Sequence, residues 1–295
     1  MKIYYSNEKI EQPFPAIALG NFDGIHLGHL EVIKNARITG KSFGVLLFRH
    51  HSQSGIKVIT TLEEKLRILS SLGIHFAYVV DFDEEFKSMS CAEFCQYLNR
   101  IGVKAVSVGY DYRCGRGASA NAEELKTGLD KFSIDTAITE AVYVGNNAVK
   151  SSFIRDLITE GYIETANKLM TRPMRISGTV VKGLQNGRKL GFPTANIKIC
   201  DEQLLPKDGV YCCICKYLDI TSAAVLNIGK NPTFNAEKRT VEVHILDYDG
   251  ELYGKKIDVD IYKRIRGEIK FDTIDELSKQ IMLDREYVIS WRDGK

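Results

Sequence analysis

The feature that most limits the fold is a change of pattern at Arg172-Pro173. Before it, strand-like and helical runs alternate. Ala16–Leu19, Phe43–Phe48, Ala77–Phe82, Ala105–Gly109 and Thr136–Val144 predict strands, while Leu62–Leu72, Cys91–Ile101, Ala122–Lys131 and Ile163–Met170 predict helices. Such alternation predicts an α/β unit, a doubly wound, mostly parallel sheet with helices on both faces. After it come short strands, predicted at Ile176–Lys182, Gly209–Tyr217, Ser222–Ile228, Thr240–Asp247 and Lys256–Ile265. Gly, Pro, Asn and Asp clusters separate them, which predicts a small β-barrel or sandwich. A terminal helix over Ile274–Val288 carries Leu277, Ile281 and Val288 on one stripe and is expected to pack on those strands. The 295 residues fit two domains, placed at 1–171 and 172–295.

The chain is 44% apolar and 26% charged, enough for ordinary buried cores. A net charge of +2 demands neither a nucleic acid nor an anionic membrane as partner. There is no apolar run near the roughly 18 residues of a membrane span, and MKIYYSNEKIEQ lacks a signal-peptide core. Both absences point to the cytoplasm. The seven cysteines form no pair of C-x-x-C motifs, so buried free thiols in a reducing compartment are expected.

Gly187 to Asn196 reads GRKLGFPTAN. Gly187 and Gly191 permit positive φ and close approach of main chain to a ligand. Arg188 and Lys189 place positive charge beside that backbone, which suits a polyphosphate. Thr194 and Asn196 are two residues apart, so an extended segment points both the same way. Two hard oxygen donors on one face suit Mg²⁺. A surface hairpin with a Thr/Asn turn accounts for the same letters. On the strand Thr240-Val241-Glu242-Val243-His244, alternation sets Glu242 and His244 opposite Val241 and Val243. Glu242 is then either a solvated outer residue or a held base.

In the first half, Gly20 to His29 reads GNFDGIHLGH between a strand and a helix. Strand, glycine turn and helix put phosphates on a helix N-terminus. His26 and His29 are three apart, so a starting helix shows them on one face. They either donate to a triphosphate or cap the helix. Ser151 and Ser152, ahead of Arg155, suit a phosphate or a cap equally. In folds of this class ligands sit beyond the carboxyl ends of the strands, where His51 and Asp111 also fall.

GFPTAN after a basic glycine loop, Asn227-Ile228-Gly229 with Asn231-Pro232-Thr233-Phe234, and Thr240 to His244 resemble the riboflavin kinases. The GNFDGIHLGH form of the H-x-G-H motif, Val108 to Arg113 and Ser151 to Arg155 resemble the FMN adenylyltransferase half of bacterial FAD synthetases. The resemblance spans about residues 14 to 290 and is tighter after Arg172. It implies an H-x-G-H nucleotidyltransferase sheet followed by a riboflavin kinase barrel. It implies riboflavin, FMN and ATP as substrates, and Mg²⁺ on Thr194 and Asn196. Glu242 is implied as the base for the riboflavin hydroxyl, with Gly183, Gly187, Arg188, Lys189, Gly191 and Pro193 around its ATP. In the other half it implies His26, His29 and Arg155 as catalytic, with Gly20, Asn21, Asp23, Gly28, Ser151 and Ser152 around ATP. His51, Asp111, Arg266 and Phe271 are implied on the flavin side. The resemblance is incomplete: the prolines usual beside His51 are missing, Cys114 replaces a phenylalanine, and Lys150 replaces a serine. Loss of an aromatic wall at Cys114 is expected to weaken FMN binding. Two further readings are a riboflavin kinase with an impaired adenylyltransferase half, and a non-catalytic flavin sensor. Oligomeric state is left open.

Overall fold

The computed structural model describes residues 1–6, 14–39, 42–50, 55–183, 191–230 and 239–294. They form two compact units, Met1–Ser151 and Ser152–Lys295.

The first unit has a sheet of β1 (Lys2–Tyr5), β2 (Ala16–Leu19), β3 (Phe43–Phe48), β4 (Phe76–Val80), β5 (Ala105–Gly109) and β8 (Asp135–Thr139). Their spatial order is β1-β4-β3-β2-β5-β8, every neighbouring pair parallel. Alternate residues of one strand feed two cores. Ile17 and Leu19 join Phe94, Leu98 and Leu125 from helices α4 (Cys91–Arg100) and α5 (Ala122–Asp130). Ala16 and Ala18 join Val32, Ile33 and Leu69 from α1 (Leu27–Thr39) and α2 (Leu62–Ser71). Both faces are thus covered, as a parallel sheet requires. The strand order reverses between β2 and β5, and the crevice at such a switch point is where ligands bind.

Some predicted bounds move. The strand expected over Thr136–Val144 breaks after Thr139, whose carbonyl accepts the Tyr110 N–H at the end of the ladder. The chain then enters a separate hairpin of β9 (Tyr143–Val144) and β10 (Asn147–Ala148), with Gly145 at φ 60°. The short β1 and the helix α3 (Glu84–Ser88) were not predicted. A two-residue hairpin, β6 (Arg113–Cys114) and β7 (Ala120–Asn121), follows β5.

In the second unit, α6 (Ser151–Glu160) leads from the boundary into α7 (Ile163–Met170), which packs on strands β11 and β16. The strands β11 (Met174–Val181), β12 (Ala195–Ile199), β13 (Gly209–Tyr217), β14 (Ile220–Lys230), β15 (Arg239–Ile245) and β16 (Lys256–Arg266) close a barrel. Its order is β11-β12-β15-β14-β13-β16, and closure leaves no sheet edge unpaired. One side is pinned by a charge network. Arg175, 8% exposed, holds Asp260, 2% exposed, which also takes Lys216 at 2.9 Å. The terminal helix α8 (Ile274–Asp293) packs on β13 and β14 and is longer than predicted.

Two candidate active sites

The turn after β2 carries unusual backbone. Phe22 and Ile25 adopt φ of 48° and 37°, and Gly24 lies at 82°. Such values are costly for bulky residues unless the surroundings over-determine them. Here they do. The Asp23 carboxylate accepts the Thr60 N–H at 3.0 Å, and the Gly24 N–H donates to the Thr60 hydroxyl at 3.0 Å. The Ser151 hydroxyl donates to the Asp23 carbonyl at 2.7 Å, and Lys65 Nζ to the Asn21 carbonyl at 2.6 Å. Asp23 is 1% exposed, and its carboxylate braces the turn from inside.

His26 immediately precedes α1 and His29 lies in its first turn. Their rings stack at 3.7 Å between centroids, 21° from parallel. Each backbone N–H points at the other's ring: His26 N to His29 Nδ1, and His29 N to His26 Nδ1, both 3.4 Å. This is a capping box built from imidazoles. An Nδ1 that accepts carries no proton, so each neutral ring keeps its proton on Nε2. The pair therefore caps the helix, as one of the two readings of the sequence expected. Gly28 belongs to it, because a Cβ there would lie 3.2 Å from the His26 ring and 3.3 Å from the Val149 carbonyl.

Gly20 and Asn21 open the same turn. Asp111, beyond β5, is exposed and paired with Lys150 at 3.1 Å, and the Lys150 ammonium lies 5.0 Å above the Tyr110 ring. The serine-to-lysine departure thus answers a neighbouring carboxylate. The other departure has a different meaning from the one expected. Cys114 is 9% exposed in the core, 3.6 Å from the Cys91 thiol, and forms no flavin wall. Burial raises its pKa, as the thiol neighbours do to a lesser extent. Ser152 and Arg155 fall in the second unit, on α6. His51 lies outside the described residues.

In the barrel, Asn196 on β12 is directly opposite Glu242 on β15. The Thr194 hydroxyl donates to Glu242 Oε2 at 3.3 Å. A Cβ on Gly183 would collide with the Asn196 amide, so glycine there lets the backbone close over it. Residues from three separate stretches of sequence thus share one corner. Val241 and Val243 are buried in the barrel and Glu242 half-buried on the other face. Burial raises the Glu242 pKa, partly opposed by the Thr194 hydrogen bond. Gly191 turns at φ 82°, and the Pro193 carbonyl meets His244 Nδ1 at 2.8 Å. Gly187, Arg188 and Lys189 lie outside the described residues. Among the described residues no cluster of three or more His, Cys, Asp or Glu side chains is placed for a metal.

Arg266 is bound to Asp284 on α8 through its Nε and Nη2, the latter at 2.7 Å. Asp284 is 4% exposed. Phe271 follows, half-buried. Sequence reasoning passed over Asp284, Thr60 and Lys65. For Asp284 and Lys65 the signal was an ionisable residue on an apolar helix stripe, as Asp284 lies between Ile281 and Val288, and Lys65 between Leu62 and Leu69, while Thr60 gave none.

Residues 9–153 match the FAD synthetase family model, and residues 170–291 match the riboflavin kinase family model. Among curated relatives, a Bacillus subtilis protein named bifunctional riboflavin kinase/FMN adenylyltransferase is 34% identical, over 96% of this chain and 94% of its own. The Listeria monocytogenes protein of that name is 35% identical, over 92% and 90%. A crystal structure described as a macrolide-efflux protein from Streptococcus pneumoniae is 30% identical, with a TM-score of 0.88 over 99% of this chain and 100% of that one. In this chain, among the described residues, no helix is long and apolar enough to cross a membrane. A kinase and an adenylyltransferase of these families both take ATP as co-substrate. With both matches in one chain and relatives above 30% identity along nearly their full length, the chain belongs to the bifunctional riboflavin kinase/FMN adenylyltransferase family.

Proposed function

We propose that the barrel phosphorylates riboflavin to FMN with ATP, and that the parallel-sheet half transfers AMP from a second ATP to FMN, giving FAD and pyrophosphate. The observation that carries the kinase reading is the meeting of Thr194, Asn196 and Glu242 beneath Gly183. Glu242 takes the proton of the ribityl hydroxyl, and its raised pKa makes it a stronger base than a surface glutamate. A hydroxyl and an amide oxygen, with no histidine or thiol among them, are the donor set of a hard cation that keeps waters and phosphate oxygens. Thr194 and Asn196 would hold Mg²⁺, which when bound neutralises phosphate charge. Gly183, Gly187, Arg188, Lys189, Gly191 and Pro193 would line the ATP.

In the adenylyltransferase half, the Nε2–H groups of His26 and His29 would donate to the triphosphate as charge grows on the leaving pyrophosphate. Gly20, Asn21, Gly28 and Ser151 would complete that site, with Asp23 bracing it, while the roles of Ser152 and Arg155 rest on the family pattern alone. His51 and Asp111 would serve the flavin there, and Arg266 and Phe271 in the barrel. We assign the two activities to 1–171 and 172–295. All seven cysteines are free thiols, which supports a reducing, cytoplasmic setting.

The test is chromatography of products from riboflavin and Mg²⁺-ATP with the purified chain. FMN and FAD are both expected. FMN without FAD from any supply of FMN would leave a kinase alone, and neither product would leave a flavin sensor.

A further inference from the structure

We propose that Lys65 is a positioning residue for adenylyl transfer, its buried ammonium fixing the turn that orients His29. The inference rests on the adenylyltransferase reading above. Lys65 is 6% exposed on the inward face of α2, and Nζ donates to the Asn21 carbonyl at 2.6 Å. Burial lowers its pKa, while the charge of buried Asp23 opposes that shift. A lysine is kept in such a place only with partners, because an unpaired buried ammonium is heavily penalised. Its partners here are the main chain and the carboxylate of one turn. The neighbouring Glu64 carboxylate is instead held by Arg67 at 2.7 Å.

The next residue along the turn is Phe22, fully buried at φ 48°. Its ring meets the His29 imidazole at 5.2 Å between centroids. Lys65 and Thr60 thus clamp the backbone on either side of Phe22, and Phe22 backs His29. Without the ammonium, the Asn21 carbonyl loses this charged donor and Phe22 can relax out of its left-handed conformation. His29 then loses its fixed orientation and its single tautomer. Lys65 itself touches neither ring, so the effect passes through the turn.

The experiment compares the full chain with Lys65→Met and Lys65→Gln, using ¹⁵N-histidine labelling and steady-state adenylylation of supplied FMN. His29 is assigned from a His29→Gln spectrum. In the wild type, His29 is expected as the Nε2–H tautomer. Lys65→Met should mix the tautomers and lower kcat for adenylylation by about 30- to 100-fold, the scale of a small misplacement of a reacting group. KM for FMN and riboflavin phosphorylation should stay within about twofold, since neither uses this turn. Lys65→Gln, which keeps an N–H donor on a shorter side chain, should recover about threefold to tenfold of the loss, as expected where the donor matters more than the charge. Should Lys65→Met not fold, Thr60→Val removes the Gly24 acceptor and should move His29 and kcat the same way. An unchanged His29 spectrum with kcat within threefold overturns the inference. So does equal loss of both activities with a lowered melting temperature. A wild type that makes no FAD would count against the functional reading, while the His29 spectrum would still decide the role of Lys65.

Discussion

On the parallel sheet the proposed catalytic groups hang on one turn of main chain, whereas in the barrel they hang on paired strands. The first turn holds two bulky residues at positive φ and is braced from Thr60, Lys65 and Ser151. In the barrel, Asn196 faces Glu242 by register, and β12 is hydrogen-bonded on both sides, to β11 and to β15. A register is fixed by a whole ladder, because slipping one residue would turn every side chain to the other face. A strained turn has no such redundancy and depends on a few buried polar bonds. The departures from the family pattern fit this contrast. They fall in the first half, where Lys150 pairs with Asp111 and Cys114 packs against Cys91.

The largest effects should be reciprocal. Thr194→Ala or Asn196→Ala should abolish FMN formation and spare adenylylation of supplied FMN, since each removes an oxygen from the proposed metal site in one half only. His29→Ala should abolish FAD formation and spare the kinase. Product chromatography reads both, and parallel loss of the two activities in any one variant would break the division into two sites.

Glu242→Gln should lower kinase kcat by about 10²- to 10⁴-fold while riboflavin still binds. The pH dependence sharpens this. Burial raises the Glu242 pKa, so the kinase should lose activity on acidification at a higher pH than an ordinary carboxylate would give. The stability sign is opposite. A raised folded pKa means the charged form costs the barrel stability above the unfolded pKa. Glu242→Gln should therefore match or exceed wild-type melting temperature at neutral pH, the gain shrinking as pH falls to the ordinary carboxylate range. A less stable variant at neutral pH would make Glu242 a structural residue.

Cys114→Phe tests whether the first half tolerates its family's residue. Cys114 is packed against Cys91 in the core, so the larger ring should destabilise this unit by about 1–3 kcal/mol in urea unfolding. Improved FMN binding without that cost would return Cys114 to the flavin site. Smallest is Lys150→Ser, which bares the Asp111 carboxylate. KM for FMN should rise about two- to fivefold, the range of a half-exposed ion pair, and less in high salt. Asp111→Asn should cancel the rise, and a KM that falls instead would show that Lys150 hinders the flavin.

Much of this was legible in sequence because it depends on local pattern. Short, nearly continuous apolar runs located β2, β3 and β5, and longer helical runs located α2, α4 and α5 within a residue or so. Thr194, Asn196 and Glu242 were picked out through family resemblance, and alternation alone placed Glu242 opposite the valines. What stayed hidden involved ionisable residues facing inward. Lys65, Asp260 and Asp284 were passed over, because charged side chains are mostly at the surface. The burial of Asp23 was equally hidden, because it stands in a turn that the family pattern places around ATP.

The sequence by itself determined the order of two fold classes, and it offered the residues expected to carry chemistry. Those properties follow from side-chain periodicity and residue type, which neighbours in the chain supply. The tertiary structure alone decided that Asn196 faces Glu242 under Gly183 and that His26 and His29 cap each other's backbone. It also decided that Cys114 belongs to a core and that Lys65 braces a turn 44 residues away. Each of these depends on groups brought together by pairing and burial. The cost of leaving a buried polar group unpartnered selects the partner, and that cost exists only once the chain has folded.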